Sequence, residues 1–165
     1  LEQMLRDVQW GQLDILVVDM PPGTGDAQLT MAQRVPLAGA VIVTTPQDIA
    51  LLDARKGLAM FQRVDVPVLG FIENMSYFVC PHCEERSEIF SHGGARKWAA
   101  KLNVEFLGEV PLDIEIRETS DQGKPIVMSN PDSAHAKTFS DIAARLADKV
   151  LKENKTRLPP KIVTL

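Results

Sequence analysis

Both cysteines of the chain fall within four residues, Cys80-Pro81-His82-Cys83. Thiolates two residues apart can close on one metal centre, and thiolate is the ligand that zinc and iron–sulfur clusters take. Such a centre normally needs four ligands, and this chain offers two sulfurs. Four readings stand side by side. A second copy of the chain supplies the missing sulfurs across a twofold axis, or His82 or His92 completes a zinc site within one chain. Alternatively the pair is a dithiol oxidoreductase, since Cys-Pro-His-Cys also serves thioredoxin-like oxidants, or the thiols are inert. Context speaks against the redox reading. Such a motif opens a helix directly after a strand, whereas Glu84-Glu85-Arg86-Ser87-Glu88 follows here and would raise thiol pKa values by like-charge repulsion.

A second stretch invites chemistry. The apolar run Leu13-Asp14-Ile15-Leu16-Val17-Val18 ends in Asp19, and Met20-Pro21-Pro22-Gly23-Thr24-Gly25-Asp26 follows. A carboxylate at the rim of a sheet can hold Mg²⁺, and glycines after it let backbone N–H groups approach a phosphate. The plainer alternative is that Asp19 caps a turn and the Pro-Gly stretch is a rigid connection.

The elements that must position these residues are written in the apolar pattern. Leu13–Asp19, Gly39–Thr45 and Pro67–Ile72 are runs rich in branched residues, as expected of parallel strands buried on both faces. Between the second and third, Leu51, Ala54, Leu58 and Phe61 recur at helical spacing over Asp48–Val64, with Asp48 as a candidate cap. Gly94–Leu102 predicts a helix, Glu105–Val110 a short strand, and Ser133–Lys152 a long helix with Phe139, Ile142, Leu146 and Val150 on one face. Met75–Gly94, which carries the cysteines, reads as a loop. This alternation predicts an α/β fold, a parallel sheet with helices on both faces. The loop after Asp19 would lie at a strand's carboxyl end, where open α/β sheets place ligands.

Length and composition bound the rest. At 165 residues, 45% hydrophobic and 24% charged, the chain predicts one ordinary soluble domain with a sizeable core. A net charge of -4 and nine aromatic residues make nucleic acid a poor partner. No apolar stretch reaches the length of a membrane span, and the first residues lack a targeting pattern, so no membrane partner is expected and the expected location is cytoplasmic. Leu1–Trp10 reads as the end of a helix closed by Gly11, which suggests a piece of something longer.

Taken in order, Val17–Asp26, Thr45-Pro46-Gln47, Glu73-Asn74-Met75-Ser76 leading into Cys80–Cys83, Gly93-Gly94 and Gly108–Asp113 resemble the Mrp/ApbC family of iron–sulfur cluster carriers. That family is related to the MinD/ParA-type P-loop ATPases and the nitrogenase iron protein. The resemblance implies a homodimer carrying a [4Fe-4S] cluster on Cys80 and Cys83 of each copy, delivered to apo iron–sulfur proteins. It places Asp19 in a Walker B-like catalytic position, Gly23, Thr24, Gly25 and Asp26 in the loop that senses the γ-phosphate, and Asn74, Pro111 and Asp113 along the adenine pocket. The family's phosphate cradle, GKGGVGK[ST], is absent, and no Gly-Lys-Ser or Gly-Lys-Thr occurs. Residues 1–153 are therefore expected to be the carboxyl-terminal part of such a domain, with 154–165 a flexible or docking tail. ATP and Mg²⁺ would act in the full-length protein, and no hydrolysis is expected here. The alternative function is a MinD/ParA-like, partner-positioning ATPase whose cysteine pair holds structural zinc.

Overall fold

The structure is a computed structural model, and it describes residues 7–21, 25–35 and 37–156. In chain order its elements are α1 (Asp26–Arg34), β1 (Ala40–Thr44), α2 (Asp48–Arg63), β2 (Val68–Glu73), β3 (Phe78–Val79), β4 (Arg86–Ser87), α3 (Gly94–Lys101), β5 (Phe106–Glu109), α4 (Ile114–Asp121), α5 (Ile126–Ser129) and α6 (Ala134–Thr156).

The branched apolar runs make a three-stranded parallel sheet in the order β1-β2-β5. Strands of this kind present apolar side chains to both faces, so each face needs a helical cover. On one face Ile42 and Phe71 pack with Ala54 and Leu58 of α2 and Ala99 of α3. On the other, Leu107 and Val110 pack with Ile142, and Phe139 of α6 closes against them. The α/β class is thus as expected. Two cations tie α6 down further: Arg145 donates to the carbonyl of Leu107 at 3.2 Å, and Lys149 donates to that of Leu69 at 2.9 Å while pairing with Glu105 at 2.7 Å. Ser133 starts α6 by accepting from the Ala136 N–H.

Several expectations need correction. Leu13–Asp19 is not a strand: the segment is irregular and exposed throughout, Val17 at 79%. A run apolar on both sides gains little by extending unless flanking strands take its N–H and C=O groups, and no such ladder reaches it among the described residues. Asp48 is the first helical residue of α2 rather than its cap; Gln47 holds the cap position without a side-chain bond. The stretch 75–94 is not all loop, because β3 and β4 form a short antiparallel ladder inside it. Two short helices, α4 and α5, were not foreseen, and α6 runs on to Thr156, so residues 154–156 of the expected tail are helical and residues 157–165 lie outside the described residues. Of the helix end expected over 1–10, residues 1–6 lie outside the described residues and 7–10 are not helical, although Gly11 has the left-handed φ of 71° expected of it.

Candidate metal centre

The site begins where β2 and β5 end. Val110 N–H donates to Glu73 O at 2.8 Å, Ser76 N–H to Val110 O at 3.0 Å and Leu112 N–H to Tyr77 O at 2.7 Å. The two exits therefore run on together past the sheet, hydrogen-bonded, even though Met75 takes a left-handed φ of 53°. From this edge the chain rises into a hairpin. Phe78 pairs with Ser87 and Val79 with Arg86, and the tip is closed by Cys80 N–H on Glu85 O (3.0 Å) and Glu84 N–H on Cys80 O (2.8 Å). Glu84 makes the tight return with φ 59°.

Both cysteines sit in this tip as free thiols, Cys80 half-buried and Cys83 exposed. The backbone N–H of His82, foremost, then the N–H of Cys83 and its thiol, stabilise the Cys80 thiolate and hold its pKa below the ordinary 9.0, against a small opposing effect of burial. A turn whose amides point at sulfur favours thiolate, the form in which cysteine binds soft metals. Among the described residues no third His, Cys, Asp or Glu comes within metal-sharing distance of the pair, so the arrangement does not assemble an intrachain zinc site with His82 or His92. The pair also lies in a hairpin, not at a helix start, which removes the geometric basis of the redox reading.

Behind the hairpin lies a polar network. The Glu73 carboxylate is fully buried at the start of α3, where it accepts from Gly93 N–H (2.9 Å), Ala95 N–H (2.7 Å) and the Ser76 hydroxyl (2.7 Å). An anion at a helix N-terminus with three donors is a well-compensated buried charge. His92 stands 3.0 Å from the Ser76 oxygen, and Arg86 reaches it from β4 at 3.2 Å. Gly94 lets α3 approach closely: a Cβ there would lie 2.9 Å from the carbonyl oxygen of Pro46.

A sequence profile of the NUBPL iron-transfer P-loop NTPases, in the ParA group, matches residues 1–147. The chain belongs to that family. Among its relatives, the iron-sulfur cluster transfer protein NUBPL of Dictyostelium discoideum is 54% identical over 167 residues, covering 99% of this chain and 52% of the relative. The iron-sulfur cluster carrier protein of Synechocystis is 58% identical over 151 residues, covering 91% of this chain and 43% of the relative. The chain thus spans about half the length of these curated relatives. Among solved structures, a nucleotide-binding protein in complex with ADP from Archaeoglobus fulgidus superposes with a TM-score of 0.67 at 44% identity, over 74% of this chain and 51% of that one. The Pyrococcus furiosus cell division ATPase MinD gives 0.51 at 27% identity, over 70% and 43%.

For this NUBPL-family chain the residues expected on the nucleotide side are distributed unevenly. Asn74, Pro111 and Asp113 come together at the strand exits, but all are engaged. Asn74 turns its oxygen onto Met75 N–H, Pro111 is buried, and Asp113 caps α4 through Glu115 N–H (2.7 Å) while its other oxygen faces His135 at 3.3 Å. Asp19 stands exposed in the irregular segment, with no side-chain partner among the described residues. Gly23 and Thr24 lie outside the described residues; Gly25 precedes α1, and Asp26 is its first residue. Pro21 is held by the buried Gln28, which donates to its carbonyl at 2.6 Å. Gln28 and the roles of Glu73, Ser76, Arg86 and Glu109 were missed in the sequence. A Ser three residues after a strand-ending Glu was the available signal, but its partners lie 16 to 33 residues away.

Proposed function

We propose that this chain is the cluster-handling part of an iron–sulfur cluster carrier. Two copies hold one [4Fe-4S] cluster between them as cargo, each supplying Cys80 and Cys83, and release it to apo iron–sulfur proteins in the cytoplasm. The observation that carries this reading is the hairpin tip: two thiols on a fixed turn, amides directed at Cys80, and no third ligand within the described residues to finish a site in one chain. The names of the relatives, an iron–sulfur cluster transfer protein and a cluster carrier protein, support it. Ligands split evenly between two chains make the cargo easy to give up, since separating the copies removes half of them.

Nucleotide enters this proposal only through the longer protein. There Asp19 and Gly23–Asp26 would face the phosphates with Mg²⁺, and Asn74, Pro111 and Asp113 the base. The described residues fit that role only in part, because the Asp113 carboxylate is already committed to a cap and to His135. The deciding experiment is anaerobic reconstitution with ferrous iron and sulfide. About two irons per chain with a thiolate-to-iron visible spectrum supports the carrier. One zinc per chain on a monomer, with no iron uptake, supports instead the partner-positioning ATPase with a structural metal.

A further inference from the structure

The cysteine hairpin has little of its own to hold it, since β3 and β4 pair over two residues each. What joins its returning strand to the sheet is Arg86. The guanidinium lies over the Tyr77 ring, 3.9 Å from the centroid, and its Nη2 stands 3.2 Å from both ring nitrogens of His92 and 3.9 Å from Glu109 Oε1.

His92 is itself fixed from below. Ser91 and Gly93 flank it in left-handed conformations, with φ 73° and 71°. The Ser76 hydroxyl spends its proton on Glu73, so its oxygen accepts from His92. That assigns the proton of His92 to Nδ1 and leaves Nε2 to accept from Arg86. The chain of contacts ends on Glu73, the last residue of β2, and on Glu109, the last residue of β5.

Glu73, His92 and Glu109 lie close enough together to suggest a cation site of their own, with ligand atoms within 4.8 Å of one another. The chemistry does not favour it. The Glu73 oxygens already accept from three donors, and Arg86 fills the place a cation would take.

We propose that Arg86 is the positioning residue of the cysteine pair. It reads the position of the β2 and β5 ends through His92 and Glu109 and sets the spacing of the two thiols through β4. A shift of either strand end then reaches Cys80 along β3, which Leu112 N–H holds at the Tyr77 carbonyl, and reaches the returning side with Cys83 through this cation. The proposal rests on the reading of Cys80 and Cys83 as ligands, and its test separates the two.

The full chain is prepared as the parent, Arg86→Ala, Arg86→Lys and Tyr77→Leu, each checked for native far-ultraviolet circular dichroism. Each is titrated with Co²⁺ alone, whose thiolate and ligand-field bands report ligand geometry, and is separately reconstituted with iron and sulfide. In Arg86→Ala the Co²⁺ bands shift, and a chelator strips the metal roughly 10-fold faster, the scale of losing an outer-sphere partner. Lys does not restore the parent, because an ammonium cannot lie flat on Tyr77 and reach two acceptors. Tyr77→Leu keeps the charge, removes the stacking face and reproduces the defect, and it serves as the test should Arg86→Ala fail to fold. Parent-like Co²⁺ bands and release rates in Arg86→Ala and Tyr77→Leu overturn the proposal. A parent that binds Co²⁺ but takes up no iron with sulfide overturns the carrier reading instead, and the Co²⁺ comparison still decides Arg86.

Discussion

At the scale of the residue, the sulfur of Cys80 and the carboxylate of Glu73 illustrate two uses of backbone amides: one set favours the thiolate of a half-buried cysteine, the other satisfies a carboxylate inside. Because hydrogen bonds from His82 and Cys83 favour the Cys80 thiolate, its pKa is lowered, so alkylation of the metal-free protein proceeds at lower pH than for an ordinary thiol. Peptide mapping after iodoacetamide treatment across pH 6 to 10 is expected to place the Cys80 midpoint below that of an unstructured cysteine peptide treated alongside; a midpoint at or above the peptide's contradicts the amide geometry. Alanine at Cys80 or Cys83 abolishes iron loading without changing helical content, since both lie on a hairpin tip away from the core. Glu73→Gln turns an amide NH₂ toward donors that had met a carboxylate, and urea unfolding is expected to show a loss of about 2 to 3 kcal/mol. The cysteines were legible from spacing alone. Glu73, Ser76, His92, Arg86 and Glu109 were not legible as a unit, because they come from segments far apart in sequence and carry no period.

At the scale of the element, apolar period was a sound guide wherever an element had a strand to pair with or a face to pack on. β1, β2, β5, α2, α3 and α6 lie within a few residues of where branched runs and 3-4 spacing put them. The same rule misplaced Leu13–Asp19, since composition reports that a strand would be buried but not that its partners are present. α4 escaped notice because it is short and its apolar residues are few, although Asp113 before Ile114-Glu115-Ile116 is a readable cap. The Gly93-Gly94 pair has a physical reason that the motif alone did not give. Gly93 turns left-handed to begin α3, and Gly94 clears the backbone after β1. Gly94→Ala puts a methyl 2.7 Å from Leu51 Cδ1 as well as against the Pro46 carbonyl, and is expected to destabilise by about 1 to 3 kcal/mol in denaturant melts. An unchanged midpoint would show that α3 can back away from β1.

At the scale of the whole molecule, the proposed pairing of two sulfurs from each chain would tie metal to assembly. If the site is shared, metal binding energy becomes association energy, and chelation moves the protein toward monomer in sedimentation velocity, with Cys83→Ala behaving as the chelated form. A metal-loaded monomer at micromolar concentration contradicts the shared site. These 165 residues hold no Gly-Lys-Gly-Gly loop, so steady-state ATP turnover is expected to be absent; turnover that Asp19→Ala eliminates would overturn that. The run from Leu13 to Val18 is exposed, and on the outer strand β1 Val43 is 59% exposed, which leaves apolar side chains in water. Val17→Lys is expected to raise solubility in light-scattering assays without lowering the melting temperature, because Val17 packs on almost nothing.

The clamp made by α6 also sets an order of events during synthesis. Leu107 and Val110 gain their cover from Ile142, and the carbonyls of Leu69 and Leu107 their last partners from Lys149 and Arg145. All of these emerge from the ribosome after the sheet and the cysteine hairpin have been translated. At about 5 to 20 residues per second, the 23 residues of α6 take about 1 to 5 s to appear. Through that interval the nascent chain already carries both thiols while the Leu107 and Val110 face of its sheet lacks the cover of Ile142 and Phe139, so until α6 arrives a chaperone has that apolar face to hold.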